Sequence, residues 1–155
     1  MHWRLAANLF TIPYPLSPIP YPLSPIPLPM DVIFLTGLTT ECIIGIWDWE
    51  RRVKQKVVID LEMGADIRKA AASDHIDDTL DYKKVSKRLL QFVSESEFQL
   101  VETLTDRIAE IVVTEFDVPW VRVKLNKQGA IRGSRDVGIL IERRREDYAG
   151  GAVRA

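Results

Sequence analysis

The chain has 155 residues, a formal charge of −1 and an apolar fraction of 46%, which suits one soluble domain around one core. That near-neutral balance leaves no cationic surplus for a phosphate backbone, so nucleic-acid binding is not expected, and no apolar run approaches the length of a membrane span. Cys42 as the only cysteine, with His2 and His75 the only histidines, cannot supply a His/Cys metal cluster or an internal disulfide, and a free thiol fits a reducing, cytoplasmic location.

In chain order, residues 1–29 come first as a proline-rich leader. Ile12-Pro13-Tyr14-Pro15-Leu16-Ser17-Pro18 repeats identically as Ile19 to Pro25, and a third copy starts at Ile26-Pro27. Proline at that density blocks helix and sheet hydrogen bonding and favours extended polyproline II. The leader reads either as a docking peptide for a proline-recognising domain or, more plainly, as translated tandem-repeat DNA upstream of a start at Met30. The domain itself is expected over residues 30–146, followed by a flexible tail at 147–155.

Within that domain, Val32 to Ile46 is rich in Val, Ile, Phe and Thr and reads as one long strand, or two joined near Gly37. Lys56 to Met63 alternates, with Val57, Ile59, Leu61 and Met63 on one face. Asp66 to Asp81 is polar and irregular, with an Ala-rich stretch that allows a turn of helix. From Tyr82 the period becomes helical: Val85, Leu89, Phe92 and Val93 form one stripe, and Val101, Leu104, Ile108, Ile111 and Val112 form a second. Strands return at Val121, Val123 and Leu125, then at Val137, Ile139 and Ile141. The expected class is α+β: a four-stranded antiparallel sheet with two helices on one face, in the order β-β-α-α-β-β. Four strands leave two edges, which predicts a ring-forming homo-oligomer joined edge to edge, with sites at subunit junctions.

Four polar residues stand out against this pattern. Alternation places Lys127 on the same apolar side as Val121, Val123 and Leu125, where a lysine either snorkels at the rim or is held in a partly dry pocket. Glu102 falls in the first turn of the second helix, where the helix dipole favours an acid, yet Thr105 and Asp106 give it no cationic partner at helical spacing. Tyr82 begins the first helical stripe and reads equally as core. Glu50, in Asp48-Trp49-Glu50, reads by default as a solvated loop acid. Together, two carboxylates, a phenol and an amine make a metal-free acid/base set. Cys42 reads as inert packing, His75 as surface, and Arg143 to Arg145 as a solvated charge run.

In order, the segments Ile44-Gly45-Ile46-Trp47-Asp48-Trp49-Glu50, Gln55 to Asp60, Asp78-Thr79-Leu80-Asp81-Tyr82, Phe98-Gln99-Leu100-Val101-Glu102, Lys124-Leu125-Asn126-Lys127 and Val137-Gly138-Ile139 resemble the dihydroneopterin aldolases of folate biosynthesis. The resemblance covers residues 30 to about 146. It implies the tunnelling fold (T-fold), a ring of four subunits stacking to an octamer, and active sites between neighbours. It implies that Glu102 anchors a pterin, that Glu50 positions the substrate side chain, and that Lys127 and Tyr82 are the catalytic proton-handling groups. Leu100 and Val101 would lie at the pterin edge, and Leu80 and Asp81 would come with Tyr82 from the adjoining subunit. No metal and no cofactor are implied. Proline often follows the lysine in that family, whereas this chain has Gln128. The rival readings are a dihydroneopterin (triphosphate) epimerase of the same fold and a non-catalytic oligomeric pterin-binding module.

Overall fold

The structure, a computed structural model, describes residues 30–149. The expected leader at 1–29 and the last part of the expected tail, 150–155, lie outside the described residues. Four strands carry the fold: β1 (Asp31–Cys42), β2 (Gln55–Ala65), β3 (Trp120–Lys127) and β4 (Gly138–Arg144). They pair antiparallel in the spatial order β1-β2-β3-β4. Between β2 and β3 come a short helix α1 (Arg68–Ser73) and two longer ones, α2 (Tyr82–Ser94) and α3 (Val101–Glu115). The Ala-rich stretch is therefore a helix of its own, and single 3-10 turns form at Glu50–Arg52, Ile76–Asp78 and Arg145–Asp147.

The alternation along the strands decides which face is dry. Val57, Ile59, Leu61 and Met63 of β2 and Val121, Val123 and Leu125 of β3 are buried, because α2 packs on β1 and α3 packs on β3 and β4. From the helices come Val85, Leu89 and Val93 at four-residue spacing, and Leu104, Ile108, Ala109 and Val112. The opposite face is charged: Arg122 bridges Glu62 of β2 at 2.7 Å and Glu142 of β4 at 3.1 Å. No helix among the described residues is long and apolar enough to cross a membrane.

Three details refine the sequence expectations. The first strand is continuous but bulged: its register shifts between Leu35 and Leu38. Gly37 sits there with φ of 76° and donates its N–H to Asp60 Oδ1 at 2.7 Å, a conformation that glycine adopts without a Cβ penalty. Ordered structure also runs past residue 146. Tyr148 is half-buried against the core, and its hydroxyl lies 3.1 Å from both the carbonyl and the carboxylate of Asp106. Arg143 is not a freely solvated charge either, since its Nε donates to Asp106 Oδ1 at 2.8 Å. This cluster pins the end of β4 onto α3.

Candidate active site

Lys127 ends β3 on the helix-facing side, only 9% exposed, and its backbone N–H donates to the Val137 carbonyl at 2.8 Å. Its ammonium donates to Glu50 Oε1 at 2.5 Å, and Glu50 is itself only 6% exposed. The carboxylate that reads from sequence as solvated is thus an internal one. It reaches Lys127 because the chain turns tightly after Trp47, whose carbonyl accepts from Glu50 N–H at 2.9 Å while its N–H donates to Glu50 Oε2 at 3.0 Å. Burial alone would raise the Glu50 pKa, but the hydrogen bonds from Lys127 and Trp47 more than offset it and hold the carboxyl below the usual glutamate range.

Gly45 makes room for that carboxylate. A Cβ at Gly45 would lie 2.1 Å from Glu50 Oε2, and the residue has φ of 136°, which side-chain-bearing residues avoid. The segment leading to it lies along residues 96–98: Ile43 N–H donates to Ser96 O and Gly45 N–H to Phe98 O, each at 3.3 Å. Gln55 reaches back to the Ile44 carbonyl at 2.5 Å. Cys42 is fully buried at the start of this segment, and burial pushes its thiol up against the opposing hydrogen bond from Ser96. It is packing rather than a nucleophile.

Two residues beyond Phe98 the chain enters α3, so Leu100, Val101 and Glu102 stand beside the Glu50 turn. Leu100 is half exposed at the N-cap, Val101 is partly buried, and Glu102 is exposed in the first turn without an ion-pair partner among the described residues. A carboxylate here has the positive end of the helix behind it and two oxygens available to N–H donors. The second set, Leu80, Asp81 and Tyr82, forms the entry to α2. Asp81 caps the helix by accepting from Lys84 N–H at 3.0 Å, which holds its carboxyl below the usual range. Leu80 packs on the core, whereas Tyr82 is 57% exposed rather than the start of the buried stripe, which begins one turn later at Val85.

A single chain does not unite these groups. The C-terminal end of α2 is the end beside the Glu50 turn, where Lys54 Nζ donates to Ser94 O at 3.2 Å. Tyr82 lies at the other end of this 13-residue helix, about 18 Å away at 1.5 Å per residue. Sequence reasoning also missed Arg51 and Gln55, which hold the turn around Glu50. Their partners are backbone carbonyls, which leave no mark on local sequence pattern.

A family model described as dihydroneopterin aldolase (FolB) matches residues 33–142. The dihydroneopterin aldolase of Escherichia coli K12 is 41% identical over 113 residues, which is 73% of this chain and 93% of that protein. The crystal structure of Escherichia coli dihydroneopterin aldolase in complex with neopterin superposes with a TM-score of 0.72 at 41% identity, covering 74% of this chain and 99% of that one. The dihydroneopterin triphosphate 2'-epimerase of Escherichia coli K12 is 29% identical over 110 residues, 71% of this chain and 92% of that protein. The match along nearly the whole length of the aldolase, on the same sheet-and-helix frame, makes this chain a member of the dihydroneopterin aldolase family.

Proposed function

We propose that this chain is a dihydroneopterin aldolase of folate biosynthesis, cleaving 7,8-dihydroneopterin into glycolaldehyde and 6-hydroxymethyl-7,8-dihydropterin. The observation that carries the reading is the buried Glu50–Lys127 pair beside a helix N-terminus bearing Glu102, which has no ion-pair partner among the described residues. In the retro-aldol step a side-chain hydroxyl loses its proton, the adjacent carbon–carbon bond breaks, and the electron pair moves into the C=N system of the pterin ring. A proton is then returned to the product carbon. Those demands are for a base, an acid and a ring clamp. Glu102 holds the amino and ring N–H edge of the pterin, with Leu100 and Val101 at the ring border. Lys127 moves the protons together with Tyr82 of a neighbouring subunit, which brings Leu80 and Asp81 with it. Glu50 holds the Lys127 ammonium in place and faces the substrate side chain through the same carboxylate.

The reading includes a ring of four subunits, with two such rings stacking to an octamer, so that Lys127 of one chain meets Tyr82 of its neighbour. It also includes a cytoplasmic location. Incubating purified protein with 7,8-dihydroneopterin tests the reaction: glycolaldehyde and the hydroxymethyl product are expected in equal amounts. Epimerised substrate without glycolaldehyde would assign the chain to the epimerases instead. No conversion at all would leave a binding module.

A further inference from the structure

Arg51 follows Glu50 in the 3-10 turn and joins two segments far apart in sequence. Its Nη1 donates to the carbonyls of Gly45 at 3.3 Å and Phe98 at 3.0 Å, and its Nη2 donates to the carbonyl of Glu97 at 2.6 Å. The side chain is 29% exposed, and its one carboxylate neighbour, Glu97, is a solvated group 4.0 Å away that adds little. The arginine is therefore committed to backbone. A planar guanidinium with five fixed donors can satisfy three carbonyls at once, which the single ammonium of a lysine cannot reproduce in the same geometry.

Both ends of this clamp lie next to working groups. Gly45 is packed against the Glu50 carboxylate. Phe98, whose carbonyl also accepts from Gly45 N–H, stands two residues before Leu100 and four before Glu102. We propose that Arg51 is a positioning residue that fixes the spacing between the ring-holding end of α3 and the proton-handling Glu50–Lys127 pair. It touches neither substrate nor Lys127 and acts through the two backbones that it joins. The inference rests on the function proposed above, so its test includes a readout that does not need turnover.

Wild type, Arg51→Lys and Arg51→Ala are compared in neopterin binding, in kcat and KM for 7,8-dihydroneopterin, and in amide hydrogen exchange. In Arg51→Ala the neopterin Kd and the KM rise about tenfold or more, because small misplacements of binding groups are costly. Exchange accelerates at Gly45 and at residues 98–102 while the amides of β2 stay protected. Arg51→Lys recovers part of both effects. Unchanged binding and exchange in Arg51→Ala would overturn the proposal. So would faster exchange spread evenly over the sheet with wild-type kinetics, the signature of a merely stabilising side chain. A wild type that cleaves nothing would defeat the proposed reaction alone, since binding and exchange still decide the clamp.

Discussion

A carboxylate and an ammonium that are both almost out of water stabilise one another only while both are present. Removing one partner of such a pair typically costs about 3–5 kcal/mol, because the remaining charge is stranded, whereas removing both is often far milder. Glu50→Ala and Lys127→Ala are therefore each expected to destabilise strongly, and the double variant to lose much less than their sum in urea unfolding. Additive losses would mean that the 2.5 Å contact contributes nothing. Acid should act through the same pair. The folded-state pKa of Glu50 lies below its unfolded value, so the unfolded chain takes up the proton first as pH falls. The stabilisation is fully present above the ordinary glutamate pKa of about 4.3 and is lost as pH falls through the depressed value. The stability curves of wild type and Glu50→Gln should run parallel and offset above that window and converge as pH falls through it. Gly45 offers a third, steric handle. A Cβ 2.1 Å from Oε2 must push the carboxylate off Lys127, so Gly45→Ala is expected to lower kcat/KM about 100-fold, the scale of a 1 Å displacement at a site. Steady-state assays of the folded variant check this, and wild-type kinetics would show that Glu50 is not confined there.

At the scale of elements, the head of α3 separates binding from stability. Glu102 has no partner among the described residues, so its contribution to folding is limited to the helix dipole, about 0.3–1 kcal/mol. Its charge-assisted hydrogen bonds to a ligand would be worth about 1.5–3 kcal/mol, or roughly 10- to 150-fold in affinity. Glu102→Gln should therefore weaken neopterin binding on that scale with the melting temperature nearly unchanged. Calorimetric titration beside a thermal melt distinguishes this from a purely structural acid, for which stability would fall and affinity would not. The same element shows what the sequence could reveal. The stripes of α2 and α3 and the alternation of β2 were legible because period alone places side chains on a face, and alternation likewise put Lys127 on the dry side of β3. Glu50 was not legible as a buried group, since its partner is 77 residues away and nothing local distinguishes it from a loop acid. Arg51 was hidden for the same reason, its three acceptors being carbonyls at Gly45, Glu97 and Phe98. Tyr82 shares the spacing of the α2 stripe yet stands outside the core, because periodicity does not tell where along a helix its contact with the sheet begins.

Across the whole molecule, the sheet ends on two edges, β1 and β4, that are unpaired among the described residues, and large apolar side chains stand open on both: Phe34 is 72% exposed and Leu140 61%. Edges of this kind favour association strand to strand. The distance of about 18 Å along α2 sets the functional consequence. If catalysis needs Lys127 from one chain and Tyr82 from its neighbour, a site is intact whenever those two positions are wild type, whatever the other residues of either chain carry. Lys127→Ala and Tyr82→Phe proteins, each nearly inactive alone, should then regain turnover when co-expressed with different tags and purified as mixed oligomers. In a randomly mixed ring, half of the sites draw their lysine from the chain that kept it. Half of those meet a neighbour with its tyrosine, so about one quarter of wild-type turnover is expected. A mixture no more active than the mean of its parents, with assembly confirmed by light scattering, would place both groups in one chain or outside the reaction. Recovery is a result that only a shared site can give, because neither parent holds a complete set of groups to share with itself.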